Sequence, residues 1–412
     1  MSEAPPSPSA LSNGEFIPML ALMISLVALS IDAMLPALEV MGQALGTQGA
    51  KQNQLIISIL FMGFAVGQLF YGPLSDSTGR RPMIFIGLLI FMVGSVLSLY
   101  AENFQAMLLG RFLQGLGAAS PRTIATALVR DIYAGRQMAR IMSMIMSVFI
   151  LVPVLAPTLG QWILMVAHWR MIFGLLLLLS LVVLCWFGWR QPETLHPEYR
   201  RELSWHNLWQ MFKEASTHPA TLGYTIANGL IFGAFVGYLV SSQQILQNHY
   251  ALGSHFPYYF GGLALSVGLA SVANAQLVMH WGMRYLSQLA LMTLSGLSTL
   301  VLLYLLMSGN PLPLGGMMVW ALIAFFCIGI LMGNVTALAL EPMGHMAGVA
   351  SSVVGAFSSF IAVSLGTGLG QAFNGTLIPL IGGFALFNGV ALLVILWVER
   401  KHAPAVAQKK PC

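Results

Sequence analysis

Gly72-Pro-Leu-Ser-Asp76-Ser-Thr-Gly79-Arg80-Arg81-Pro82 connects two long apolar runs, 55–71 before it and 83–100 after it. One carboxylate and two guanidiniums crowd this short connection. Charges of that density are costly inside hydrocarbon, so the stretch reads as a polar hairpin at a membrane surface joining two membrane helices. Its charge also suggests a role there beyond turning the chain.

The rest of the chain agrees. Hydrophobic residues make up 57% of the 412 and charged residues only 8%. A soluble domain carries about 25% charged residues, so this chain lacks a coat suited to water. Apolar runs near the ~20 residues that cross a hydrocarbon core as a helix recur along it. They fall at 16–38, 54–75, 83–101, 105–128, 139–165, 169–190, 219–245, 257–280, 286–308, 314–340, 347–373 and 375–398. Runs such as Leu175-Leu-Leu-Leu-Leu-Ser-Leu-Val-Val-Leu184 do not alternate as barrel strands must. The expected fold is all-α and membrane-integral, with twelve transmembrane helices.

Basic residues set the orientation. With the N-terminus inside, the inner side collects Arg80, Arg81, Arg130, Arg136, Arg140, Arg190, Arg200, Arg201, Lys213, Arg284, Arg400, Lys401, Lys409 and Lys410. The outer side holds Lys51 and Arg170, and Arg111 and Arg122 lie within the membrane. Both termini are therefore expected in the cytoplasm. The net charge of +5 reflects this bias, and the expected partner is the lipid bilayer, not nucleic acid. Residues 1–15 lack Lys and Arg, so no cleavable signal is expected and the first apolar run stays as a helix. Cys185, Cys327 and Cys412 are scattered, and neither a metal site nor a cofactor is expected.

The long hydrophilic connection 191–218 divides the chain into bundles at 16–190 and 219–398, with tails at 1–15 and 399–412. Two near-equal six-helix halves suggest similar bundles related by an axis along the membrane normal. The second-half counterpart of the hairpin is only His280-Trp-Gly-Met-Arg284. Within the connection, 203–212 reads either as an amphipathic interfacial helix or as a solvated linker. Gly63 and Gly67, and Gly229, Gly233 and Gly237, are spaced for close helix packing, with sliding during conformational change as the second reading.

Ionisable groups inside the membrane mark function. Asp32 on segment one and Arg111 on segment four both lie about 9 Å below the outer boundary, so they are placed to meet. Asp32 is then either a proton carrier that also attracts substrate or a fixed partner of Arg111. Arg122 follows Arg111 by eleven residues, about three turns, on the same helix face, with Gln114 between them. Without an acid at its depth, Arg122 requires substrate or backbone carbonyls. At the inner surface, Asp76, Arg80, Arg81, Arg130 and Asp131 form either a breakable charge-assisted latch or a static anchor.

Four stretches carry a family resemblance. Gly72 to Pro82 resembles the signature loop of the major facilitator superfamily. Leu109-Gly-Arg111-Phe-Leu-Gln114-Gly115-Leu-Gly117-Ala-Ala-Ser-Pro121-Arg122 is similar to the segment-four motif of its twelve-helix drug:proton antiporters. Asp32-Ala-Met-Leu-Pro36 and His345-Met-Ala-Gly348-Val-Ala-Ser351-Ser352 are similar to stretches of the Bcr/CflA (bicyclomycin and chloramphenicol resistance) family. The segment-five antiporter motif is represented by Pro153, Pro157 and Gly160, with Ala156 and Gln161 where glycines are usual. Its prolines favour a bend.

The resemblance implies a monomeric transporter in the bacterial inner membrane that exports small drug-like molecules or metabolites in exchange for protons. It is not expected to be an enzyme. It implies proton coupling through Asp32 and Arg111, and substrate contact by Asp32, Gln114, Arg122, Asn228, Tyr238, Gln244 and Asn334. Gating falls to Gly72, Asp76, Gly79, Arg80, Arg81, Arg130 and Asp131. A proton-coupled nutrient importer and a membrane sensor without flux are the alternatives.

Overall fold

A computed structural model describes residues 11–133, 135–200, 213–214 and 216–402. The stretch 203–212, Arg201, Lys409, Lys410 and Cys412 lie outside the described residues, as do the side chains of His345, Met346 and Ala347. Among the described residues every regular element is helical. The long helices are α1 (Asn13–Asp32), α2 (Ala50–Thr78), α3 (Arg80–Leu99), α4 (Phe104–Ile132), α5 (Gly135–Val166) and α6 (Arg170–Arg190). They continue as α7 (Pro219–Gln243), α8 (Phe256–Trp281), α9 (Met283–Ser308), α10 (Leu314–Leu340), α11 (Ala347–Gln371) and α12 (Ile378–His402). Each overlaps one of the twelve apolar runs, although α1 stops at Asp32, six residues short of the end expected at 38.

Eleven of them are long and apolar enough to cross a membrane, and the exception is α4. At 29 residues α4 has ample length. Its Arg111, Gln114, Arg122, Arg130 and Asp131, with several glycines, dilute the hydrophobic stretch.

The chain divides into two units, residues 1–47 with 59–208 and residues 48–58 with 209–412. In the first, α1 packs on α4, α5 and α6, and α3 packs on α4 and α6. In the second, α7 packs on α10, α11 and α12, and α9 packs on α10 and α12. Adding six to each label of the first set gives the second. The repeat that is faint in sequence is plain in helix pairing.

Glycine spacing serves this packing. A Cβ on Gly63 would lie 2.1 Å from the Phe112 carbonyl oxygen, and one on Gly115 would lie 1.9 Å from that of Leu60. The α2 and α4 backbones therefore touch. Along α7, Gly229, Gly233 and Gly237 meet Ile361, Leu365 and Leu369 of α11 one after another.

The connection 72–82 departs from the expected hairpin. Helix α2 runs through Gly72 and Pro73 to Thr78, and Gly79 alone makes the turn at φ 110°. Ser77 and Thr78 hydroxyls donate to the Leu74 carbonyl, at 2.9 and 2.8 Å, which occupies acceptors near the helix end. Gly282, at φ 76°, makes the equivalent one-residue turn between α8 and α9. Helix α1 likewise starts at Asn13, so the expected tail 1–15 contributes its last three residues to a helix.

Gly115→Ala is expected to lower stability by about 1–3 kcal/mol, since the α2 backbone must give way. Thermal unfolding of the purified protein in detergent measures it. A midpoint equal to wild type would show that α2 and α4 do not touch at Gly115.

Candidate functional site

Helix α1 ends at Asp32, where the sequence withdraws its next hydrogen bond. Pro36 has no N–H to offer the Asp32 carbonyl, and a 3-10 turn, Leu35–Ala37, follows. Helix α5 closes against this end: a Cβ on Gly160 would lie 1.8 Å from the Ala33 carbonyl oxygen. Asp32 itself is 4% exposed.

Arg111, fully buried, reaches α1 beside Asp32 without pairing with it. Its Nη2 donates to the Ser30 carbonyl at 2.7 Å and its Nη1 to Gln114 Oε1 at 2.7 Å. Gln114 Nε2 donates to Ser95 Oγ at 2.8 Å, and Ser95 Oγ donates to the Phe91 carbonyl at 2.9 Å. A continuous polar chain thus ties α4 to α1 on one side and α3 on the other. Phe173 of α6 lies 5.8 Å from the Arg111 guanidinium carbon. Among the described residues no ion pair includes Asp32, which removes the expected Asp32–Arg111 pair.

Arg122 differs from Arg111. It is half-buried, and its guanidinium carbon lies 5.4 Å from the centre of the Phe149 ring on α5. Among the described residues no oxygen accepts a hydrogen bond from it. Phe149 stands four residues before Pro153, and Pro153 four before Pro157, so both of their carbonyls lack a helical donor. Helix α5 nevertheless runs unbroken through both prolines.

The remaining amides expected to line a cavity are largely engaged. Gln114 is fully buried in the chain just described. In the second unit, Asn334 and Asn274 exchange amide hydrogen bonds at 2.8 and 3.0 Å, joining α10 to α8. Gln244 accepts from Gln54 Nε2 at 2.9 Å. Tyr238 is fully buried, 4.8 Å from the Phe325 ring and 6.2 Å from that of Phe260. Asn228 stays half-exposed.

At the end of the first unit where α2 meets α3, Arg80 is the hub. Its Nε donates to Asp131 Oδ2 at 2.9 Å and its Nη1 to Asp76 Oδ1 at 2.5 Å and to Ser75 Oγ at 2.8 Å. Arg81 donates to the Gly188 carbonyl and lies 5.6 Å from the Phe85 ring. Arg130, expected in this constellation, is exposed and forms no hydrogen bond or ion pair with the described residues. It points away because Asp131, the next residue, occupies the inward position.

Glu193 is the member that the sequence reading missed. Its carboxylate accepts from the backbone N–H of Arg80 and of Arg81, both at 2.9 Å, and from Leu195 N–H at 3.0 Å. Thr194 Oγ1 donates to Asp131 at 3.1 Å. A Cβ on Gly79 would come 2.6 Å from Glu193 Oε2, so glycine here answers both the turn and the carboxylate. The signal was present: two cations open α3, the wrong sign for a helix N-terminus, so an acid has to come from elsewhere.

Comparison with known proteins adds the family. A family model described as Major Facilitator Superfamily matches residues 20–367. The bicyclomycin resistance protein homolog of Haemophilus influenzae is 28% identical, covering 85% of this chain and 88% of that protein. The chloramphenicol resistance protein of Pseudomonas aeruginosa is 28% identical over 83% of this chain and 80% of its own length. Among solved structures, the xylose transporter XylE of E. coli, in a partially occluded inward-open conformation, superposes with a TM-score of 0.69 at 12% identity. It covers 97% of this chain and 99% of that one, a likeness of fold alone.

Glu193→Ala removes the acceptor for two N–H groups at the start of α3. A loss of about 0.5–2 kcal/mol is expected, the usual cost of deleting a helix cap. Glu193→Gln, which keeps one carbonyl oxygen, should lose less. Thermal midpoints of the two variants test the order, and equal midpoints for both and wild type would exclude a capping role.

Proposed function

We propose, from the premise that this chain belongs to the major facilitator superfamily, that it exports small drug-like molecules or metabolites in exchange for protons. The multi-pass protein is a secondary transporter and not an enzyme. In the proposed setting it works as a monomer in a bacterial inner membrane with both termini in the cytoplasm. The relatives named for bicyclomycin and chloramphenicol resistance support drug-like cargo and the outward direction.

One observation carries the proton coupling: a carboxylate almost sealed from water at the end of α1, without an ion-pair partner among the described residues. A buried, unpaired carboxylate is strongly disfavoured in its charged form. Taking up a proton from outside relieves that cost, and releasing it inside restores the cost. Arg111 acts through backbone: it holds the Ser30 carbonyl, two residues before Asp32, and so positions the acid.

The local structure suits a moving part. Pro36 leaves the Asp32 carbonyl without its helical donor, and Gly160 brings α5 against Ala33. A change of charge at Asp32 is thereby applied where α1 is least held by its own hydrogen bonds. In the proposed cycle the two six-helix bundles alternate access to the cargo site, and the Asp76–Arg80–Asp131 cluster is made and broken. The cluster is largely buried, so breaking it in each turnover requires water or other partners to take up its charges as it opens. A membrane potential of about 100 mV adds about 2.3 kcal/mol for each charge moved fully across.

In everted vesicles, Asp32→Asn should abolish substrate-dependent proton movement, by at least about tenfold, while the folded protein keeps its thermal midpoint. Undiminished proton exchange in that variant would remove Asp32 from the coupling.

A further inference from the structure

We infer that the cargo carries an anionic group beside an aromatic or apolar body, and that Arg122 with Phe149 recognises that combination. The inference rests on the transport reading above and names its substrate class.

The arginines of this chain provide the contrast. Arg80 is met by two carboxylates, Arg111 by a carbonyl and an amide, Arg190 by Glu15 and Arg284 by Glu341. Among the described residues, Arg122 is met only by a ring. It stands ten residues before Ile132, about 15 Å from that end of α4, so it is not a terminal residue reaching headgroups. Arg122 as a residue is half-buried, and a charged guanidinium at such depth is not left against lipid tails, so its open side faces a wet space.

No acid nearby in sequence is available to neutralise it. The only carboxylate on α4 is Asp131, held by Arg80, and α5 contains no Asp or Glu. The five donors of a guanidinium form a planar fork that fits a carboxylate or sulfonate through two parallel hydrogen bonds. The Phe149 ring beside that fork offers a flat apolar surface to whatever bears the anion. A cationic cargo is repelled by the fixed charge of Arg122, which already occupies a place beside the ring that such a cargo would seek. A neutral one leaves the fork unfilled.

Two matched probes separate these cases: anilinonaphthalene sulfonate and its uncharged parent, phenylnaphthylamine. Binding of each to the purified full chain in nanodiscs is read by fluorescence. Wild type should bind the sulfonate at least about tenfold more tightly than the parent, one good charge-assisted contact. Arg122→Gln should erase the preference while binding of the uncharged probe changes little, and Arg122→Lys should restore part of it. Equal affinities in wild type, binding of neither probe, or a preference that survives Arg122→Gln overturns the inference. Everted vesicles then test transport separately. If the binding preference depends on Arg122 but a proton gradient moves neither probe, the anion site stands and the transport reading falls.

Discussion

Arg111 sits in a helix where hydrocarbon replaces water, and its N–H donors have to find oxygen inside the protein. They find it on α1, at the Ser30 carbonyl, and on their own helix at Gln114, which passes the demand on to Ser95 of α3. Three helices are thereby fixed in register by one chain of hydrogen bonds. The position of Asp32 follows from it, because the residue that anchors Arg111 lies half a turn before the acid. What looks from sequence like a pair of opposite charges is a backbone anchor with an unpaired carboxylate beside it.

The two units solve the same problem at their α2–α3 and α8–α9 turns. Gly79 and Gly282 each turn the chain in one residue at positive φ. Arg80 then reaches the end of α4 at Asp131, and Arg284 reaches Glu341, just past the end of α10. The first version is buried and elaborated by Ser75, Asp76 and Glu193, while the second is a half-exposed pair of one arginine and one glutamate. Both units thus turn in one residue and pair the arginine that follows with an acid, and in the second Glu399 nearby accepts from Tyr224 and Gln288.

All twelve helices were legible, eleven through the length and composition rule that lipid imposes and α4 through its length despite diluted hydrophobicity. The site was legible only in part. Ionisable residues stood out, and Asp32, Arg80, Arg111, Arg122 and Asp131 occupy places that require an account. Amides did not, since a Gln or Asn in a membrane helix seeks another amide, and Asn274 and Gln54 are ordinary residues until the helices are packed. The 72–82 stretch misled because its polar residues read as a hairpin, yet α2 runs on through Pro73 to Thr78 and Gly79 alone turns the chain. Arg130 misled because adjacent residues on a helix point in different directions, so Asp131 and Arg130 could not both join the cluster.

The dilute hydrophobicity of α4 bears on how the protein is made. A helix with two guanidiniums in its interior gains little by partitioning alone from the translocon into lipid. Helices α1 and α3, which emerge earlier, supply the acceptors that Arg111 and Gln114 need. Integration of the fourth span is thus a cooperative event that waits on its predecessors, and lesions in α1 or α3 are communicated to biogenesis as well as to transport.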